Sequence, residues 1–180
     1  GLCGYIRDRL GGKLEVDMRK KVALLGVFLA LALICSYIES LIPFYFGVPG
    51  MKLGLTNIVV VLLLYFYGTK EALAVSFMRI LLAGFMFGNA FSILYSLAGG
   101  LLSLFVMALL KKTGWFHMIA VSICGGITHN LGQILVAMVV VKNYYIFGYF
   151  PFLFVGGWIT GLLIGLLAQE IYTRTKHFIR

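Results

Sequence analysis

Residues 93–110 read ILYSLAGGLLSLFVMALL, with no charged side chain among them. A stretch of about 18 or more apolar residues is long enough to cross the hydrocarbon core of a bilayer as a helix. Residues 22–38, VALLGVFLALALICSYI, have the same character. A barrel strand would alternate apolar and polar positions over about ten residues. Neither run alternates, so helices satisfy the backbone here. Composition extends this reading to the whole chain. Of its 180 residues 62% are hydrophobic and 12% charged, and the mean hydropathy is +1.03. A soluble domain has about 45–50% apolar and about 25% charged residues. So few charges cannot cover a water-facing surface, and lipid must be the solvent for most of the chain.

The expected fold is all-α, a polytopic bundle of six transmembrane helices. Their expected bounds are 22–42, 53–67, 71–87, 90–110, 117–141 and 151–172. Pro43 and Pro49 break the chain after the first, and Gly68-Thr69-Lys70 is a tight turn. Pro151 suits the first turn of the last helix, where its missing N–H costs nothing. Residues 1–21 form an N-terminal extension, 22–172 the membrane domain and 173–180 a basic tail. Met18-Arg19-Lys20-Lys21 ahead of the first apolar run has the form of a start, which makes 1–17 an addition before it. No small-residue cleavage site follows that run, so a removed signal peptide is not expected.

Charge sets the expected orientation. Arg7, Arg9, Lys13, Arg19, Lys20 and Lys21 precede the first span. Lys70, Lys111 and Lys112 fall in inner turns, and Arg174, Lys176 and Arg180 end the chain. With both termini cytoplasmic, these twelve of the fifteen basic residues lie inside. Lys52 and Lys142 lie outside, and Arg79 lies within a span. Cytoplasmic loops carry such an excess. The expectation is therefore a multi-pass protein of the cell membrane, N-in and C-in. The formal net charge of +9 is a topology signal. It is not a nucleic-acid footprint, because the basic residues flank spans in short clusters instead of sharing one soluble face.

Small residues at four-residue spacing mark close helix approach. Gly157, Gly161 and Gly165 form one stripe, and Ser92, Ser96 and Gly100 another; both suit packing within the chain. Ala23, Gly26 and Ala30 form a third on the first helix, open to packing within the chain or against another subunit.

Polar residues inside spans are costly and mark candidate sites. Arg79 lies about nine residues into the third helix, roughly 13 Å deep. It suits a structural ion pair or carbonyl clamp, or an anion ligand. His129, Asn130 and Gln133 lie within about one turn on the fifth helix. They suit interhelical hydrogen bonds or a ligand-contacting face. Lys52, Thr56 and Asn57 at the start of the second helix, Glu39 at the end of the first, and Asn89 between the third and fourth converge on the same outer half. Phe44, Tyr45, Phe46 and the aromatics from Tyr144 to Phe152 suit an interfacial belt or a lid over a ligand. Cys3, Cys35 and Cys124 form no CxxC pair and read as small hydrophobes. No metal or cofactor is expected. Asp8 and Asp17 are the only aspartates. There is no P-loop, no Asp-rich diphosphate–magnesium motif and no Ser/His/Asp arrangement. No catalytic residue is assigned, and the chain is not expected to be an enzyme.

The stretch Pro49-Gly50-Met51-Lys52-Leu53-Gly54-Leu55-Thr56-Asn57 resembles the signature of the membrane family filed as heptaprenyl diphosphate synthase component I, also called the Gx transporter family. Lys70-Glu71-Ala72-Leu73 with Arg79, Tyr95-Ser96-Leu97-Ala98-Gly99-Gly100, and Gly125-Gly126-Ile127-Thr128-His129-Asn130-Leu131-Gly132-Gln133 fit it as well. The family in turn is similar to the substrate-binding S components of energy-coupling-factor importers. That resemblance implies six helices, an outward pocket and small residues on the first helix. The small residues dock a transmembrane coupling subunit driven by two ATPase subunits. Ala23, Gly26 and Ala30 are this chain's nearest equivalent. Lys52, Asn57, Arg79, Asn89, His129, Asn130 and Gln133 are then the expected contacts to a small anionic ligand. The rival expectation is a membrane anchor or accessory subunit for isoprenoid or quinone biosynthesis, with no catalytic residues of its own.

Overall fold

The computed structural model describes residues 2–42 and 54–179, with side-chain surroundings for 16–42 and 54–178. Six helices follow in order: α1 (Leu2–Leu41), α2 (Asn57–Phe66), α3 (Thr69–Phe87), α4 (Ala90–Thr113), α5 (Met118–Val141) and α6 (Phe150–Ile179). A short 3-10 helix, Tyr144–Tyr149, leads into α6. No strand occurs among the described residues. The fold is all-α, as the unbroken apolar runs require. Four segments are long and apolar enough to cross a membrane: Val16–Leu41, Ala90–Thr113, Met118–Val141 and Tyr144–Phe178. The chain is therefore a multi-pass membrane protein whose outer surface meets lipid.

The other two helices differ from simple spans for separate reasons. α3 carries Lys70, Glu71 and Arg79 within 19 residues. α2 has only 10 residues, about 15 Å of helix, half the hydrocarbon thickness. It compensates by position. Val59 to Leu64 are all buried, and α2 touches every other helix. A helix that is apolar on all sides belongs in the centre of a bundle. Gly68 joins α2 to α3 at φ +115°, a conformation open to glycine at little cost. That lets the chain reverse within two residues.

Two apolar clusters fill the interior. One gathers Phe28, Val61, Leu64, Met107, Val121 and Ala168 from all the layers around α2. The other gathers Tyr95, Ile134, Ala137, Ile146 and Leu153. Along α4 and α5 the buried polar residues Ser96, Ser103, His129 and Gln133 fall between the two clusters. Close backbone approach holds α5 to its neighbours. A Cβ on Gly126 would lie 2.3 Å from Gly157 O, and one on Gly132 would lie 2.7 Å from Ala98 O. Ser122 Oγ donates to Gly161 O and Ser103 Oγ to Gly125 O, each at 2.8 Å. The stripes on α4 and α6 thus pack inside the chain.

One end of the bundle is basic and aromatic. Lys21 Nζ pairs with Glu71 Oε1 at 2.5 Å. Lys111 donates to the Leu64 carbonyl near the end of α2, where the helix dipole favours a cation. Its ammonium lies 5.0 Å from the Tyr65 ring centroid, and Tyr65 packs edge-on to Tyr172. Residues 2–20 carry α1 beyond the Lys21 contact. At the opposite end Tyr144 and Tyr145 are exposed, and Phe147 stacks on Phe150 at 5.3 Å. Cys35 and Cys124 are free thiols, each partly buried. Pro43, Phe44, Tyr45, Phe46, Pro49 and Lys52 lie outside the described residues.

Candidate functional site

Five helices bring polar groups to one small void near the middle of the bundle. It is lined by Glu39 from α1, Gly54, Thr56 and Asn57 at the start of α2, Arg79 from α3, Ser96 from α4 and His129 from α5. The gaps between these side chains sum to about 200 Å³, and none is wide enough for a free water. Asn57 is about 15 Å from the end of α2, and Arg79 about 15 Å from the start of α3. His129 is about 16 Å from the start of α5. The three therefore meet at similar depth.

The start of α2 organises the void. Gly54 N and Leu55 N both donate to Glu39 Oε1, the second at 3.3 Å. The carboxylate thus answers amides at the positive end of the α2 dipole. Gly54 has φ +82°, and a Cβ there would lie 3.2 Å from His129 Cδ2. Only glycine meets both demands without strain. Ser36 Oγ and Thr56 Oγ1 are 3.2 Å apart, tying α1 to the same turn. Asn57 Nδ2 reaches Ser103 Oγ at 3.5 Å.

Arg79 is only 3% exposed, and its Nε has no hydrogen-bond partner among the described residues. Gln133 is fully buried, and its Oε1 likewise has none. Its Nε2 lies 3.1 Å from His129 Nε2. Buried polar atoms left unmatched cost about 1–3 kcal/mol each. A ligand oxygen beside Arg79 would remove part of that cost.

The expected residues do not all meet. Asn57, Arg79 and His129 share the void, with Gln133 bonded to His129. Asn130 turns away and donates to Leu153 O on α6 at 2.8 Å, as an interhelical bond. Asn89 caps α4, accepting from Ser92 N at 2.8 Å, and is exposed. Lys52 lies outside the described residues. Glu39 and Thr56, which the sequence placed in the same outer half, join the site, and so do Gly54 and Ser96, which were not expected there. Glu39 had a signal of its own. It is a carboxylate in an apolar run, on the same face as Phe28, Ala32 and Ser36.

The α1 stripe stands apart from the other two. Ala23, Gly26 and Ala30 are exposed, and nothing lies within 4 Å of a Cβ built on Gly26. The opposite face of α1 buries Phe28, Ala32, Ser36 and Glu39. Among the described residues, then, α1 leaves its small-residue face uncovered.

A model of the family described as heptaprenyl diphosphate synthase component I matches residues 28–171 of the chain. Neither the curated proteins nor the solved structures give a match.

Proposed function

The chain belongs to the heptaprenyl diphosphate synthase component I family, and from that premise we propose that it is a substrate-binding membrane subunit of an importer of the energy-coupling-factor type. It captures a small anionic ligand from the outer side, with both termini in the cytoplasm. The observation that carries this reading is Arg79, buried beside Asn57 and His129 with its Nε unmatched. Glu39 lines the same void as a counter-charge to Arg79, and two amides at the start of α2 bond to its Oε1. A ligand anion would match the open Nε of the guanidinium, and charge-assisted hydrogen bonds to it are strong in a dry site. His129, Gln133 and Asn57 orient the rest of the ligand. Energy comes from partners: a transmembrane coupling subunit on the uncovered face of α1 and two ATPase subunits behind it.

The family name itself favours a second reading, a membrane subunit that anchors or assists a partner synthase in isoprenoid or quinone biosynthesis. One purification separates the two. Mild-detergent extraction from native membranes, followed by mass spectrometry of the intact complex, should yield a coupling subunit, ATPase subunits and a bound small anion. Recovery of a soluble prenyl synthase, with no ATPase and no bound small molecule, would replace the importer reading with the second.

A further inference from the structure

The basic end of the bundle carries an open cleft, far from the polar void. It has a volume of about 400 Å³ and lies between the start of α3 and the last turns of α4, lined by Thr69, Phe105, Ala108, Leu109, Lys111 and Lys112. Phe105, Ala108, Leu109 and Lys112 fall at i, i+3, i+4 and i+7, so they form one stripe along α4. Lys112 stands at the end of the span, and about 10 Å of helix separates it from Phe105, which is exposed within an apolar span. The stripe thus passes from a cation at the membrane boundary to an apolar surface facing hydrocarbon. Lys112 is exposed and has no side-chain partner among the described residues. Lys111 is held in place by the Leu64 carbonyl, but an ammonium has three donors. Thr69 opens α3, at the positive end of its dipole. Among the described residues no carboxylate lines the cleft: Glu71 is paired with Lys21, and Glu170 with Arg174. Trp115, just past α4, is exposed, as suits an aromatic at the membrane–water boundary.

We propose that this cleft binds the head group of an anionic phospholipid, with the phosphate at Lys111, Lys112 and the start of α3. Both walls of the cleft are positive, and hydrogen bonds from ammonium to phosphate are charge-assisted. A basic pocket between helices at the membrane boundary is the kind of site that takes anionic head groups. The lipid needs no passage through the protein, because the cleft opens beside a surface that already faces hydrocarbon and a lipid reaches it laterally. A free anion or an acidic peptide would match the lysines but not the apolar stripe below them. The lipid is a resident of the bilayer, distinct from any ligand held at Arg79.

Fluorescence quenching by brominated lipids tests this in reconstituted vesicles. Trp115 and Trp158 are replaced by phenylalanine, and Phe105→Trp then places the sole indole on the stripe. In mixtures of phosphatidylglycerol and phosphatidylcholine, with one or the other brominated in its chains, quenching should report that phosphatidylglycerol binds there at least about threefold tighter. Phe85→Trp in the same background, at the exposed far end of α3, should show no preference. Lys112→Gln alters an exposed side chain, so the fold is not at stake, and it should remove the preference at position 105. Thr69→Glu adds a charge that a helix start favours, and it should remove the preference too. Equal quenching by the two lipids at position 105 would overturn the proposal. So would the same preference at position 85, or one that survives either Lys112→Gln or Thr69→Glu. If inorganic phosphate abolishes the preference where sodium chloride of equal ionic strength does not, the site takes the free anion and the lipid assignment falls. Absence of quenching by both lipids would mean that protein covers the stripe, which also overturns it.

Discussion

Arg79 is where the cost of the site is concentrated. A guanidinium at mid-membrane depth is tolerated only when it faces protein or water, and here it faces a void with one carboxylate already engaged by backbone amides. Arg79→Gln should weaken ligand binding at least about tenfold, or about 1.4 kcal/mol, as read by calorimetry on the purified protein. His129→Ala and Asn57→Ala should each weaken it less, because they remove neutral hydrogen bonds. Normal affinity in Arg79→Gln would make Arg79 structural; if that variant fails to fold, Arg79→Lys, which keeps the charge, answers the same question. Gly54 makes an independent residue-scale test. Its left-handed backbone and its contact with His129 both penalise a side chain. Gly54→Ala should cost about 1–2 kcal/mol from the backbone alone, lowering the melting temperature in detergent. An unchanged melting curve would show that the turn before α2 is not held as described.

At the scale of elements, three small-residue stripes with one sequence pattern have two fates. Those on α4 and α6 meet other helices; that on α1 meets nothing within the described chain. Gly126→Leu should therefore destabilise the bundle, since a Cβ there already collides with Gly157 O and overpacking costs about 1–3 kcal/mol. Gly156→Leu, next to Gly157 but facing open space, should leave the melting temperature unchanged. Similar losses in both would mean that α5 and α6 do not approach as closely as described. On α1, replacing Gly26 and Ala30 with leucine should abolish uptake in cells while ligand binding to the isolated subunit stays near normal. A parallel loss of binding would reassign the stripe to internal packing.

At the scale of the whole molecule, Thr113 at the end of α4, shortly before α5, and Asn143, just after α5, are both exposed. The 24 residues of α5 separate them by about 36 Å. With both termini cytoplasmic, a cysteine at Asn143 should react with a membrane-impermeant maleimide in intact cells. A cysteine at Thr113 should react only after the cells are opened. Cys3, Cys35 and Cys124 are replaced by alanine in both cases. Labelling of both positions from one side, or the reverse pattern, would refute the orientation. The Lys21–Glu71 pair and the Lys111 contact with Leu64 O lie at the Thr113 end, in keeping with an excess of cationic residues on the cytoplasmic side.

Sequence alone determined that the chain is helical, because in lipid a backbone must satisfy its own hydrogen bonds and an unbroken apolar run leaves only the helix; α1 and α6, however, run on into the polar ends at Leu2 and Ile179, and α2 is shorter than expected. The expected bounds of α3, α4 and α5 agree with those observed to within three residues. It also marked Arg79, His129 and Asn57 as costly, since an ionisable or amide group stands out against hydrocarbon. Tertiary structure decided which of these polar groups meet. A helical period says which residues share a face, not which neighbour that face meets. His129 and Gln133 are one turn apart and stay together, while Asn130 is rotated about 100° from His129 and reaches α6 instead. Glu39 reached the site only because α1 packs that face inward, and the short α2 became the centre only because five other helices surround it. Those choices are made by packing between segments distant in sequence, and no local pattern encodes them.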